Sequence, residues 1–291
     1  MNNKKALVID GNSLMYRCFY ASYKQLVIQK EKNFLPTNAL KLFLMILLKL
    51  IKNNNYDYAL VAFDHGKKTF RHDEFSEYKA NRKPMPEELV SQIPLIKEAI
   101  DIVGCTNLSI ETIEADDIIG SFCKLANKEN IFVDIYTSDN DMLQLVNVLT
   151  SVNLFKTGIS NIIKVDVENF SNYYHDLKPE QVCDFKGISG DSSDCLYGVK
   201  GIGEKQASIL LKKYQTLENI YENLDELNET QKKKFSESKK SAFDCKKLAK
   251  IKCDVLNEYN INDFTKKEID KNKLQEFISK YHFINFEKII D

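Results

Sequence analysis

The residues Ala6–Asp10, ALVID, decide the fold: four apolar residues closed by an acid, with polar residues on either side. A short run that is apolar on every position has no solvated face, so it reads as a buried parallel strand rather than a half-exposed one. The same pattern returns in YALVAFD, residues 58–64, and in IFVDIYTSD, residues 131–139. Longer runs with helical spacing lie between them, from Pro36 to Lys52, Pro86 to Val103 and Ala115 to Ala126. Strands that alternate with helices predict an α/β domain over residues 1–170, with a mostly parallel, Rossmann-like sheet flanked by helices. Beyond residue 170 the strand signal fades. Residues 171–291 read as a smaller helical domain headed by Gly198, Gly201 and Gly203.

Composition narrows the class. The chain has 291 residues, 43% of them hydrophobic, and a formal net charge of −1. Near neutrality argues against a polyanion partner unless many acids serve one site. Nine carboxylates are candidates for such a site, and the −1 becomes +8 once those nine are set aside. Seven cysteines form no CxxC pair and no zinc-ligand spacing with histidine, which predicts reduced thiols and a cytoplasmic protein. The apolar stretch Ala39–Ile51 is too short to span a bilayer and is interrupted by Lys41 and Lys49, so it predicts a core helix. No apolar leader precedes the first strand, so no secretory signal is expected.

Three predicted strands end in aspartate: Asp10, Asp64, and Asp139 with Asp141 just past the third. In open α/β sheets the functional crevice lies beyond the carboxyl ends of the strands. One such aspartate is commonly a helix cap or a turn former. Three at once point to a site. Glu114, Asp116 and Asp117 open the helix that carries Ile118, Ile119 and Phe122, where acids also favour the helix dipole. Asp191 and Asp194 precede the glycine-rich turn. Nine converging carboxylates would repel one another unless divalent cations neutralise them. Oxygen ligands without His or Cys suit Mg²⁺ or Mn²⁺. Two such ions about 4 Å apart activate water and stabilise the attacking and leaving oxygens of a phosphoryl displacement.

The segment FRHDEFSEYKANR, residues 70–82, supplies Arg71, Lys79 and Arg82, with Tyr78 able to stack on a base. Arg71 and Lys79 could hold the scissile phosphate. GVKGIGEKQA, residues 198–207, has the glycine spacing of a helix-hairpin-helix turn, which reads nucleic-acid backbone through N–H groups, with Lys205 adding charge. Nine lysines between residues 232 and 252 read equally as a solvated helix face or as an attractor of nucleic acid.

In order, VIDGNSLMYRCFYA, VAFD, TFRHDEFSEYKANR, MPEELVSQIPLIKE, IEADDIIG, SDNDMLQLV, GISGDSSD and GVKGIGEKQA closely resemble the 5′-to-3′ exonuclease domain of bacterial DNA polymerase I and the flap endonuclease superfamily, from residue 5 to about 225. The resemblance implies a PIN-type fold with a helical arch over about residues 71–103. It implies one metal site from Asp10, Asp64, Glu114 and Asp116, and a second from Asp117, Asp139, Asp141, Asp191 and Asp194. It further implies Lys79 and Arg71 at the scissile phosphate, Tyr78 and Arg82 at the arch, and K⁺ at the turn of Gly198, Gly201, Gly203 and Lys205. The implied protein is a monomeric, stand-alone structure-specific nuclease that acts on 5′ flaps, 5′ ends and RNA primers, and passes nicked DNA to a separate polymerase and ligase. Ser138 and Asn140 stand where the family usually has Gly and Arg, and Cys195-Leu196-Tyr197 where it usually has Asn-Ile-Pro. The alternatives are a PIN-type ribonuclease and a flap-binding relative without catalysis.

Overall fold

The computed structural model describes residues 4–66, 68–156, 161–284 and 286. Six strands, β1 (Lys5–Asp10), β2 (Tyr58–Ala62), β3 (Thr106–Leu108), β4 (Phe132–Thr137), β5 (Thr150–Phe155) and β6 (Ile162–Val165), form one sheet in the order β3-β2-β1-β4-β5-β6. All neighbours are parallel except β5 and β6, which are antiparallel. Strand order reverses beside β1, which pairs with β2 on one side and β4 on the other. The crevice of a doubly wound sheet lies at that switch point.

Helices α1 (Gly11–Ala21), α2 (Tyr23–Glu31), α3 (Asn38–Asn53), α4 (Phe70–Glu74), α5 (Glu87–Val90), α6 (Ile93–Ile102), α7 (Ala115–Lys128) and α8 (Phe170–Tyr173) accompany the sheet. Because side chains alternate along a strand, β1 feeds two cores. Leu7 and Ile9 pack with α1, α3 and α6, while Ala6 and Val8 pack with Ile118, Ile119 and Phe122 of α7. The run from Ala39 to Ile51 is the predicted core helix: Leu40, Phe43, Leu44 and Leu47 of α3 are fully buried, each stabilising by roughly 1.5–3 kcal/mol. No helix among the described residues is long and apolar enough to cross a membrane.

Helices α9 (Val182–Ser189), α10 (Glu204–Tyr214), α11 (Leu217–Glu222) and α12 (Glu229–Ala249) make the helical part, and their apolar faces join the core cluster of α7. The last helix, α13 (Lys271–Lys280), differs from the expected division at residue 170. The chain before it returns to the sheet, where Thr265 bridges Tyr58, and Leu274 and Phe277 complete the core beside α3 and α6.

Of the stretch expected to arch over the site, residues 76–85 border the cleft as turns and coil. The two helices that follow are held in the core by Leu89, Ile96, Ala99 and Ile100. Their apolar residues find a partner in α3, so they pack instead of standing free.

Candidate active site

A cleft of about 1650 Å³ opens at the carboxyl ends of the central strands and is lined by Asp10, Asp64, Glu114, Asp116, Asp139 and Asp141. Asp10 ends β1 and caps α1: its Oδ1 accepts from the Ser13 amide at 2.9 Å and its Oδ2 from the Thr137 hydroxyl at 2.8 Å. The cap and the site are thus one residue. Gly11 is required next to it, since a Cβ there would lie 2.5 Å from the Phe63 ring and 2.8 Å from the Ala62 carbonyl. Burial, partly offset by the two hydrogen bonds, pushes the Asp10 carboxyl up to about 7. Asp64 follows β2 and accepts from the Ala115 amide and the Asn12 side chain, both at 2.8 Å. Asp139 follows β4 and caps the turn that carries Asp141, whose amide donates to it at 2.8 Å.

The three acids at the start of α7 diverge, because successive helical residues point about 100° apart. Glu114 is saturated with donors: the Thr69 hydroxyl at 3.0 Å, the Lys79 ammonium at 2.9 Å, the Tyr78 hydroxyl at 3.2 Å and the Arg71 guanidinium at 3.3 Å. Burial raises its carboxyl, but Lys79 and then Arg71 outweigh that and hold it below the ordinary value. Asp116 is the opposite case. Among the described residues no donor reaches its carboxylate, and burial, then Asp139 and Asp10, raise it well above the ordinary value.

Asp117, expected in the second metal site, does not line the cleft. It is fully buried, and Arg71 grips it at two points, Nη1 to Oδ2 at 2.7 Å and Nη2 to Oδ1 at 2.8 Å. Arg71 also donates to the carbonyls of Leu248 at 2.9 Å and Lys250 at 3.0 Å, at the end of α12. With 2% exposure it is a clamp between α4, α7 and α12, and not a group free to meet a phosphate. Tyr78, expected to stack on a base, borders the cleft but is 4% exposed and packs on Leu196, Cys245 and Leu248. Lys79 does reach the cleft. Its backbone is left-handed, with φ of 56°, its amide donates to the Asp194 carbonyl at 3.1 Å, and such strain in a non-glycine residue is characteristic of functional positions. Arg82 pairs with Asp194 at 2.7 Å.

Asp141, Asp191 and Asp194 gather one oxygen each within 4.8 Å of one another. Asp10, Asp64, Glu114 and Asp116 line the same cleft without closing to that distance among the described residues. Sequence reasoning missed Lys186, in the last turn of α9. Its ammonium contacts Asp141 and lies 2.5 Å from Asp191 Oδ2. Burial opposes its charge, but Asp141, Asp191 and Asp139 together raise its pKa. Asp191, raised by burial and lowered more strongly by Lys186 and Ser193, falls to about 2. Asp141 remains at about 7, because burial and Asp139 outweigh Lys186. The available signal was a lysine one turn before an acidic loop, just outside the quoted motif.

Ser138 and the altered loop are accommodated. The Ser138 hydroxyl accepts from Arg17 at 2.8 Å. Cys195 adopts φ of 59°, Leu196 is buried, and Tyr197 stands 66% exposed on the cleft rim. At the glycine turn, Gly198 has φ of 56° and a Cβ there would meet the Gly190 nitrogen at 2.4 Å, whereas nothing lies within 4 Å of one at Gly203. The Gly201 carbonyl accepts from Lys234 at 2.9 Å. Lys205 is exposed at the start of α10. The lysine-rich stretch is partly committed, with Lys246 bridging Asp184 and Glu218, and Lys247 paired with Glu74.

A doubly wound sheet with carboxylates gathered at its strand ends and lysines beside them fits a metal-assisted nuclease. Residues 5–175 match the family model of the 5′-3′ exonuclease N-terminal resolvase-like domain, and residues 177–272 that of the 5′-3′ exonuclease C-terminal SAM fold. The chain belongs to the 5′-3′ exonuclease family. It is 40% identical to a 5′-3′ exonuclease of Mycoplasma pneumoniae, covering 96% of each chain, and 42% identical to that of Mycoplasma genitalium, covering 95% of each. DNA polymerase I of Bacillus subtilis is 40% identical over 89% of this chain, which spans 29% of that protein. Among solved structures, T5 5′-exonuclease with zinc bound superposes with a TM-score of 0.69 at 21% identity, covering 97% of this chain and 99% of that one. The catalytic core of Rad2 in complex with DNA substrate gives 0.64 at 16%, covering 99% and 90%.

Proposed function

We propose that the chain removes nucleotides from 5′ ends and cleaves 5′ flaps of duplex DNA, RNA primers included, using Mg²⁺ or Mn²⁺ held by Asp10, Asp64, Glu114, Asp116, Asp139, Asp141, Asp191 and Asp194. One observation carries the metal reading: the Asp116 carboxylate has no donor among the described residues and faces the charges of Asp139 and Asp10, which the neighbouring Lys79 offsets only in part. A carboxylate so placed is stable as an anion only with a cation beside it. The donor set fits hard divalent ions, being all oxygen, with three acids close enough to share one ion. Bound there, such ions supply Lewis-acid activation of water and of the leaving oxygen.

The protein's own groups do the rest. Lys79, held on Glu114 at the lip of the cleft, offers its ammonium to the phosphate that enters and stabilises the charge developing on it. Arg82, half exposed, neutralises the strand approaching Asp194. The turn at Gly198, Gly201 and Gly203 binds the duplex backbone. Gly203 supports this reading because no neighbour requires a glycine there, and its bareness lets a phosphate come close to the amides that open α10. Lys205 adds charge beside those amides, and K⁺ at the turn would take the Gly201 carbonyl in place of the Lys234 ammonium that donates to it. Residues 1–170 would then be the catalytic part and most of 171–291 the duplex-binding part, acting as a monomer that leaves nicked DNA for a polymerase and a ligase.

Product mapping on a 5′-labelled flap duplex, with single-stranded RNA of the same sequence alongside, tests the reading. Mg²⁺-dependent release of mono- and oligonucleotides from the DNA supports it. Cleavage confined to the RNA, or equal with and without Mg²⁺, contradicts it.

A further inference from the structure

Lys186 is the cation that, among the described residues, touches two of the acids that would hold the second ion, and its position has a cost for that ion. Asp141, Asp191 and Asp194 offer oxygens within 4.8 Å of one another, and the Lys186 ammonium contacts two of the three. Its side chain is 13% exposed, so the charge is not spread into solvent. Asp194 turns its other attraction outward to Arg82. A divalent ion bound by the same three carboxylates would lie close to the ammonium, and two cations brought together inside a partly dry cleft repel strongly. We propose that Lys186 occupies the place of the second divalent ion in the substrate-free protein, so that the ammonium and the ion are mutually exclusive occupants of the Asp141, Asp191 and Asp194 group. This rests on the reading of those acids as metal ligands.

The surroundings let the ammonium leave without moving the helix. The Lys186 carbonyl is pinned twice, by the Gly190 amide at 2.9 Å and by the Cys245 thiol at 2.9 Å. The loop after it is closed by the reciprocal hydrogen bonds between Asp191 and Leu196, at 2.7 and 2.8 Å. Only the four-carbon stem is free to swing, and Lys186 lines the cleft in which a phosphate would lie. A DNA phosphate entering the cleft offers the ammonium a new partner, and its departure uncovers the ion's ligands. Substrate and second ion therefore bind cooperatively, each raising the affinity of the other by the same factor. The substrate-free protein is spared a fully assembled centre.

The test is a Mn²⁺ titration of the metal-stripped full chain without DNA, read as bound ions per chain by electron paramagnetic resonance. The wild type is expected to bind one ion and to take the second at least tenfold more weakly. Lys186→Met is expected to tighten the second ion at least tenfold, because the competitor is gone and the acids remain. Lys186→Gln gives the same reading if the methionine variant does not fold. A DNA flap with a nuclease-resistant N3′→P5′ phosphoramidate at the junction, which keeps the phosphate charge, is expected to tighten the second ion on the wild type and to have little effect on either variant. Second-ion affinity that is unchanged or weakened in both variants overturns the exclusion. Failure of every protein to take a second ion, with or without the flap, overturns the reading of these acids as a metal site, a result distinguishable from the first.

Discussion

Arg71 and Asp117 face each other across two hydrogen bonds of 2.7 and 2.8 Å, fully enclosed, with the Lys252 amide donating to the same Asp117 carboxylate at 2.8 Å. The pair ties the sheet-flanking helix α7 to the end of α12, and so sets the helical part against the cleft. Removing one partner leaves a buried charge unpaired. Asp117→Ala is expected to lower unfolding stability by about 3–5 kcal/mol in chemical denaturation, and Arg71→Ala by a comparable amount. In both variants that still fold, the number of Mn²⁺ ions bound per chain stays that of the wild type. A lost ion in Asp117→Ala would restore Asp117 to the metal site.

Lys79 differs from Arg71 in reaching the cleft while paired with Glu114. Lys79→Ala is expected to lower kcat on a flap duplex by roughly 10²–10³-fold, the scale of losing one preorganised stabiliser of transition-state charge. KM should change little. Single-turnover rates at saturating DNA measure this directly, and a change confined to KM contradicts the assignment.

The pH dependence of stability follows from Asp10 and Asp141. Each has a folded pKa of about 7 against an ordinary 3.8, so the folded protein keeps protons that the unfolded chain releases. The stability these groups contribute is fully present below the unfolded value and is lost as pH rises through about 7. The metal-free protein should therefore have a lower Tm near pH 8 than near pH 6. Added Mg²⁺ should raise Tm more near pH 8, because it binds the deprotonated acids. Scanning calorimetry at the two pH values, with and without Mg²⁺, checks both signs.

The two glycines of the turn separate fold from function. Gly198→Ala places a Cβ against the Gly190 nitrogen and in a left-handed backbone, so it should lower Tm by several degrees. Gly203→Ala meets no neighbour and should leave Tm unchanged while weakening duplex binding severalfold, as read by fluorescence anisotropy. Equal duplex affinity in Gly203→Ala would remove this turn from the interface.

Tyr197 projects from the short loop between Asp194 and Gly198, 66% exposed, and among the described residues its ring and hydroxyl have no partner. Placed on the rim of the cleft, it is suited to stack on a base of the incoming strand. Tyr197→Ala should raise KM about tenfold with kcat retained, and Tyr197→Phe should restore it. A Phe variant as weak as the Ala variant would assign the effect to the hydroxyl.

The acid-ended strands were legible because both signals are local: apolar runs of strand length, each closed by aspartate. That Asp116 and Asp117 part company was not legible. Both occupy the first turn of one helix, and their fates depend on groups distant in sequence: Arg71 and the Lys252 amide for Asp117, Asp139 and Asp10 for Asp116. The burial of Tyr78 is equally hidden, because its apolar partners, Leu196, Cys245 and Leu248, come from distant sequence. Lys186 was invisible for the same reason, its meaning lying in Asp141 across the cleft. The return of α13 to the sheet depends on a surface left open between α3 and α6, which no pattern within residues 271–280 encodes.

The central claim is that the strand-end acids hold the catalytic ions. Its most direct test is the single-turnover rate of 5′-flap cleavage in Mg²⁺ for the wild type and for Asp116→Ala and Asp139→Ala, with folding verified by Tm. Loss of cleavage by about 10³-fold or more in both variants, at unchanged or raised Tm, is the predicted result. Cleavage of the flap at the wild-type rate by either folded variant would contradict it.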